Sequence, residues 1–229
     1  MLLAEQALAE LRLRGQQVRA AVTVFADEAR RRSAVGLGAV DSRALLTVLH
    51  DLPVDLPLQL SSLGAHALRT LHRAPAGVVE QEDCQGTLVR RLVPAVRVEL
   101  VLVHGVRGVS PGEWDSVVRD ASQFAPFCAR GVLLSHPVSE RVLRSPDLSD
   151  DPDFDLLLMK ARFYGVGVAT QGPAGLGWLL EPAPYRPLRH SAAQWLFHEQ
   201  AWRQLGPDWS CPRRSATAGS AGGLGWRQA

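Results

Sequence analysis

The chain has 229 residues, of which 46% are hydrophobic, and its 25 basic and 23 acidic residues give a formal net charge of +2. A chain of this length and composition can bury a core of its own without disulfides or metal ions. The near-balanced charge neither requires nor excludes a nucleic acid as partner.

Signals for secretion or membrane insertion are not found in the sequence. No run approaches the ~20 apolar residues that span a bilayer, and residues 1–6 lack the basic-then-apolar layout of a signal peptide. Cys84, Cys128 and Cys211 lie far apart without a Cys-x-x-Cys pair, which fits a reducing compartment and offers no zinc framework. We expect a soluble, cytoplasmic protein that does not contact a membrane.

Residues 1–38 are predicted to form an N-terminal amphipathic helix. Within residues 3–32, small and apolar side chains recur in alternating steps of four and three, at Ala4, Leu8, Leu11, Gly15, Val18, Val22, Phe25 and Ala29. This heptad-like stripe packs either on its own domain or on a partner helix, so residues 3–32 are also a candidate homodimer interface.

Residues 39–76 are predicted to be a second helical segment. A helix begins near Asp41 and ends before Pro53, and a further helix covers roughly residues 58–73.

This segment also resembles a winged helix-turn-helix, a DNA-binding motif. Gly77 to Val93 would form the wing, and residues 61–73 would form the recognition helix. The resemblance implies that Arg69, Arg73 and two histidines contact DNA.

Residues 77–206 are predicted to be a mixed α/β core with a C-terminal helix, followed by a disordered tail at 207–229. Three strands form a meander and are followed by a helix and a strand, and a hairpin comes later. The predicted strands are 77–81, 87–93, 96–104, 131–135, 166–170 and 175–180, and the predicted helices begin at Ser110, Asp151 and Ser191.

The succession of helices, three-stranded meander, helix and strand resembles the core of the restriction-endonuclease-like, or PD-(D/E)XK, nucleases. The segment from Val96 to Val101 looks like their central strand, which carries Glu-x-Lys. Trp114 with Arg119-Asp120-Ala121 is similar to their Trp…Gln-Ala helix. Val132 to Pro137 looks like their next buried strand, and Ala161 to Val168 is similar to their Ala-Arg-x-x-Gly-Val-Gly-Leu segment.

The resemblance implies a metal-dependent nuclease site in which several positions have changed. Glu99 matches the glutamate that binds Mg²⁺ or Mn²⁺, but Val101 stands where the lysine belongs. Asp83 is the nearest candidate for the second acid, and Arg119 or Lys160 is the candidate replacement for the lysine. The expected positions of the acid hold Arg90 and Arg91, which together with Arg119 are candidate nucleic-acid contacts.

A second metal hypothesis comes from the ends of two predicted neighbouring strands. His104 and His136 each end a strand, and in a parallel pair both would lie at the carboxyl edge of the sheet. With Glu99 or Glu113 they could bind a divalent cation. Alternatively, each histidine bonds nearby backbone at its strand end.

Three functions therefore stay open. The first is a catalytically degenerate nuclease fold that binds nucleic acid or a protein partner. The second is an active nuclease that uses Mg²⁺ or Mn²⁺ in a rearranged site. The third is a dimeric regulatory or assembly protein that associates through its N-terminal helix.

Overall fold

The computed structural model describes residues 8–81, 86–105, 111–135, 152–172, 175–186 and 191–206. Within these ranges the protein is a mixed α/β structure with two sheets and six α-helices. The elements are β1 (Ala9–Leu13), β2 (Gln16–Val24), α1 (Ala26–Ala34), α2 (Arg43–His50), β3 (Pro57–Gln59), α3 (Ala65–His72), β4 (Val79–Gln81), β5 (Thr87–Arg90), β6 (Val96–His104), α4 (Pro111–Ser122), β7 (Ala129–Leu133), α5 (Pro152–Phe163), β8 (Gly167–Gly172), β9 (Gly175–Leu180) and α6 (Ala192–Leu205).

The larger sheet is mixed, with strand order β1-β2-β6-β7-β8-β9. Strands β6, β7 and β8 are parallel, and the remaining neighbours are antiparallel. The prediction of a central strand at 96–104 is confirmed, because β6 has β2 on one side and β7 on the other.

One face of the larger sheet is covered by α4, α5 and α6. Trp114, Leu157 and Trp202, one from each helix, are at most 3% exposed and belong to one core with valines of β6. Each large apolar side chain buried in this way contributes about 1.5–3 kcal/mol. In the described ranges, no helix has the length and apolarity needed to cross a bilayer.

Serines cap two of the helices, and the cap of α2 is Ser42, one residue after Asp41, near which the helix was predicted to begin. The side chains of Ser42 and Ser191 accept hydrogen bonds from the backbone N–H groups of Leu45 and Gln194, so each serine caps its helix. Helices α4 and α5 begin at prolines, as predicted, because proline has no N–H to leave unpaired in the first turn.

The prediction of one helix over residues 3–32 is wrong. Residues 9–24 form the hairpin β1–β2, and only α1 is helical, while residues 3–7 lie outside the described ranges. Leu11, Leu13, Val18 and Ala20 are at most 2% exposed, so the buried positions repeat every second residue. The stripe at steps of four and three overlaps this set, which is why it suggested a helix.

The predicted meander of strands 77–81, 87–93 and 96–104 is also wrong. Strands β4 and β5 pair as predicted, but β6 leaves them, and β3 completes a separate sheet of order β3-β5-β4. Five residues outside strands, 91–95, which include Pro94, separate β5 from β6 and allow this change of sheet. A meander followed by a helix and a parallel strand does occur, but it is built by β1, β2, β6, α4 and β7.

The predicted helix at 58–73 divides into β3, a short 3₁₀ turn and α3. Leu58 pairs with Leu88 of β5, and this sheet contact takes precedence over a helical continuation. The smaller sheet, α2 and α3 enclose a second core, to which α6 contributes Trp195.

A buried ion network connects α1, α6 and the chain before α2. Arg32 is completely buried; its two terminal nitrogens donate to the two carboxylate oxygens of Glu199 at 2.7 Å, and its Nε donates to Glu28 at 2.8 Å. Glu199 also accepts from the Val40 N–H at 2.9 Å and from the Trp195 indole N–H at 3.1 Å. Charge-assisted hydrogen bonds among Arg32, Glu28 and Glu199 thus join α1 to α6.

Candidate nucleic-acid interface

Helix α3 lies on the second core with one face and presents the other face to solvent. Leu71 is 4% exposed, and Ala67 and Ala74 are partly buried against the same core. Packing along this side turns the opposite stripe outward, as the helical period requires. The exposed side chains are His66, Arg69, His72 and Arg73.

The stretch of chain that contains α3 has no carboxylate. No aspartate or glutamate occurs between Asp55 and Glu80, whereas this stretch contains two arginines and two histidines. Neither Arg69 nor Arg73 makes an ion pair with any residue in the part of the chain that the structure describes. Exposed guanidinium groups without a carboxylate partner are suited to phosphate and base edges.

A depression of about 590 Å³ lies between α3 and the smaller sheet. Its apolar floor includes Leu68 and Leu88, while Arg69, His72 and Arg73 stand at its margin. Strands β4 and β5 run beside it. The depression therefore joins the basic stripe to the strand pair as one continuous surface.

The structure places Arg90, a predicted nucleic-acid contact, inside the protein. Its Nη1 donates to the carbonyls of Leu49 and Leu52 at 2.7 Å, and its guanidinium lies 4.7 Å from the ring centre of Trp195. Burial lowers the pKa of Arg90. Arg90 thus bonds the carbonyl end of α2 and is not presented to a ligand.

Arg91, the second predicted contact, is partly exposed but already paired. It donates to Glu80 at 2.8 Å and to Asp55 at 3.0 Å. These bonds hold the chain before β3 against β4 and offset the charge of Arg91.

Glu99, the predicted metal ligand, occupies a β-bulge. Consecutive residues Ala21 and Val22 of β2 pair with Leu100 and Val98, so Glu99 is the additional residue on β6. Its Oε1 accepts from the Thr23 hydroxyl and from an Arg97 terminal nitrogen, both at 2.9 Å. The carboxylate therefore contacts a hydroxyl group and a guanidinium group. A metal site would need further carboxylates at these positions.

His104, the next predicted ligand, pairs with a carboxylate of β1. Its Nε2 lies 3.4 Å from Glu10, which also accepts from Arg19 at 2.5 Å. Burial alone would raise the pKa of Glu10, but the bonds from Arg19 and His104 lower it. Asp83 and His136 lie outside the described residues. Within the described ranges, no three His, Cys, Asp or Glu side chains cluster to hold a metal.

Arg119 and Lys160 are not brought to Glu99. Helix α4 packs on the face of β6 that presents Val98, whereas Glu99 bonds Thr23 and Arg97 on the opposite face. The sheet therefore separates Arg119 from the carboxylate. Lys160 donates to Asp115 at 2.6 Å, which joins α5 to α4.

Glu10, Arg19 and Thr23 were missed as neighbours of the candidate site because their segment was predicted to be helical. Alternation of Leu11, Leu13 and Val18 around an Arg-Gly turn is the signal that could have found them.

Comparison with known proteins gives no matching family model, no matching curated protein and no matching solved structure. The two candidate sites, around Glu99 and on α3, are therefore judged from their geometry alone. At Glu99 the carboxylate is bonded by its neighbours, while the exposed guanidinium groups of Arg69 and Arg73 form no ion pair with the residues that the structure describes.

Proposed function

We propose that the protein binds double-stranded DNA through α3 and the adjoining β4–β5 pair, and that it does not cleave the DNA. The observation that carries this proposal is the exposed stripe of His66, Arg69 and Arg73. These side chains lie in a stretch without carboxylates, and neutralisation of phosphates by arginines such as Arg69 and Arg73 is the main source of affinity in such interfaces.

The dimensions of α3 suit the major groove of DNA. A single helix fits this groove, and residues spaced three and four apart line one side of the helix. His66, Arg69 and Arg73 have this spacing, so they can face the same groove. Arginine recognises guanine through two hydrogen bonds, which gives this stripe a means of base selection.

The surroundings of α3 support the winged helix-turn-helix reading. Helix α2, strand β3 and helix α3 precede a pair of antiparallel strands, and the three strands form one small sheet. The β4–β5 pair stands where the resemblance expects a wing. Backbone and side chains of such a pair can contact the phosphates beside the groove.

The absence of cleavage is inferred from the neighbours of Glu99. If the chain shares the nuclease core, β1, β2 and β6 are its meander, and β2 is the strand from which a second acid would come. The β2 side chain that bonds Glu99 is Thr23, and Val101 occupies the lysine position. Thr23 supplies no second carboxylate for a metal, and Val101 supplies no ammonium group to activate water, as the nuclease mechanism requires.

The alternative of a dimer formed by an N-terminal helix loses its basis, because residues 9–24 are strands of the larger sheet. The alternative of an active metal nuclease has no cluster of ligands in its favour among the described residues. A titration with Mn²⁺, repeated on Glu99→Ala, tests it separately.

The experiment that tests the proposal measures binding of a fluorescent DNA duplex by anisotropy. Wild-type protein is compared with the double variant Arg69→Gln/Arg73→Gln, for which we expect at least about ten-fold weaker binding. The matched control is Arg12→Gln/Arg186→Gln, which removes two exposed arginines remote in sequence from α3. Equal affinities of wild type and the α3 variant would refute the proposal.

A further inference from the structure

A contiguous apolar surface is exposed on α5 and the residue after it. Phe163 is 82% exposed, Met159 is 62% exposed and Tyr164 is 52% exposed. The rings of Phe163 and Tyr164 contact edge to face, with centres 5.1 Å apart. Isolated apolar side chains are common on surfaces, but a contiguous group of three large ones is typical of an interaction site.

A groove between α4 and α5 adjoins this surface. It has a volume of about 510 Å³, and Val118 of α4 lies opposite Met159 and Phe163 of α5. The Asp115–Lys160 ion pair crosses between the two helices. Each helix has 12 residues, so the groove extends for up to about 18 Å.

Cations flank the apolar surface on both sides. At 100° per residue, Lys160 points toward α4, whereas Arg162 lies on the other flank of Met159 and Phe163. Arg119 and Arg162 are exposed, and neither forms an ion pair with a described residue. Because Asp115 offsets Lys160, two guanidinium groups remain. Among the α5 side chains that the structure describes, Asp155 is the exposed carboxylate.

The residue types of this surface are those enriched at the centres of protein interfaces. Phenylalanine, tyrosine, methionine and arginine are over-represented there, because each buries a large area, and tyrosine and arginine also form hydrogen bonds. An elongated groove between helices accepts the apolar stripe of a third helix. The unpaired arginines on its flanks select acidic residues beside that stripe.

We propose that the α4–α5 groove is a docking site for an acidic amphipathic helix of a partner protein. Apolar side chains of the partner pack on Met159, Phe163 and Val118. Acidic side chains on its flanks pair with Arg119 and Arg162. This site is distinct from the α3 surface and does not depend on the proposed DNA binding.

The test measures binding of a fluorescent synthetic helix by anisotropy. The probe carries leucine and phenylalanine at helical spacing and glutamate elsewhere, and the control peptide has lysine in place of every glutamate. We expect saturable binding of the acidic peptide alone. Binding should weaken about ten-fold or more in Phe163→Ala and in Arg119→Glu, and remain unchanged in Arg186→Glu.

Several results would overturn the proposal. These are no binding of the acidic peptide, equal binding of the lysine peptide, or an acidic-peptide affinity that Phe163→Ala leaves unchanged. Sedimentation velocity tests a second copy of this chain as the occupant. A dimer that forms in the wild type and is lost in Phe163→Ala would show self-association in place of a partner helix. Because Phe163 is 82% exposed, its replacement leaves the core intact, which circular dichroism checks.

Discussion

At the scale of single residues, the most demanding arrangement is the buried network of Arg32. Its charge is compensated by Glu28 and Glu199, and both carboxylates are themselves buried. A buried ion pair contributes little net stability compared with apolar packing, but removal of one partner leaves an uncompensated charge. The network therefore fixes one arrangement of α1 and α6.

Replacing Glu199 with alanine tests this network. The free energy of unfolding should fall by about 3–5 kcal/mol in urea denaturation, because Arg32 would stay buried without its main partner. The control is Arg30→Met on α1, the helix that carries Arg32. Because the pair of Arg30 with Asp27 is exposed, this change should alter the free energy of unfolding by less than about 1 kcal/mol. Similar losses in both variants would contradict the account.

The pH dependence of stability should carry a contribution from Glu28. Burial alone would raise its pKa, but hydrogen bonds from Arg31 and Arg32 lower it below the ordinary 4.5. The folded pKa is thus below the unfolded one, so the stabilisation is complete above the unfolded value and lost as pH falls through the folded value. Urea denaturation from neutral to acidic pH should show a shallower decline in Glu28→Gln. An identical decline in both proteins would speak against this contribution.

The thiol of Cys128 should be unreactive in the folded protein. It is completely buried, and burial raises its pKa to about 12. Because the thiolate is the nucleophile, a Cys84→Ser/Cys211→Ser variant should react with a disulfide reagent at neutral pH only after denaturation. Rapid labelling of the native variant would show that the surroundings of Cys128 open readily.

At the scale of elements, the N-terminal hairpin depends on one short turn. Arg14 and Gly15 both have positive φ, 51° and 83°, as a two-residue turn of type I′ requires. This conformation matches the twist of β1 and β2, and it favours glycine.

Gly15→Ala should lower the free energy of unfolding by about 1 kcal/mol, measured in urea. An added Cβ would meet no atom within 4 Å, so the loss is conformational and not steric. Gly38→Ala is the control, because it also has free space but no positive φ, and its effect should be near zero. If Gly15→Ala is as stable as the control, the turn does not constrain the hairpin.

The sequence predicted elements better than it predicted their partners. Strand β6 and the helices α2, α4 and α6 were expected, because continuous apolar runs and the residue types that begin helices are local signals. The pairing of β6 with β2 joins residues about 80 positions apart, and no local pattern specifies that choice. Arg69 and Arg73 were expected on the surface of α3. The burial of Arg90 was not expected. Every residue of β5 is buried, so an alternation of buried and exposed positions could not predict it.

At the scale of the whole molecule, α6 connects two cores. Its Trp202 belongs to the core under the larger sheet, and its Trp195 belongs to the core beneath α2 and α3. The network of Arg32 and Glu199 lies at the same junction. The second core, on which α3 packs, is therefore connected to the larger sheet through α6.

The most direct test of this account is the salt dependence of duplex binding in wild type and in Arg69→Gln/Arg73→Gln. Each phosphate contact contributes about 0.9 to the slope of log affinity against log salt concentration. If both arginines contact phosphates, the account predicts a steep wild-type slope and a slope smaller by about 2 in the double variant. An affinity independent of salt, or an equal slope in both proteins, would contradict DNA binding through α3.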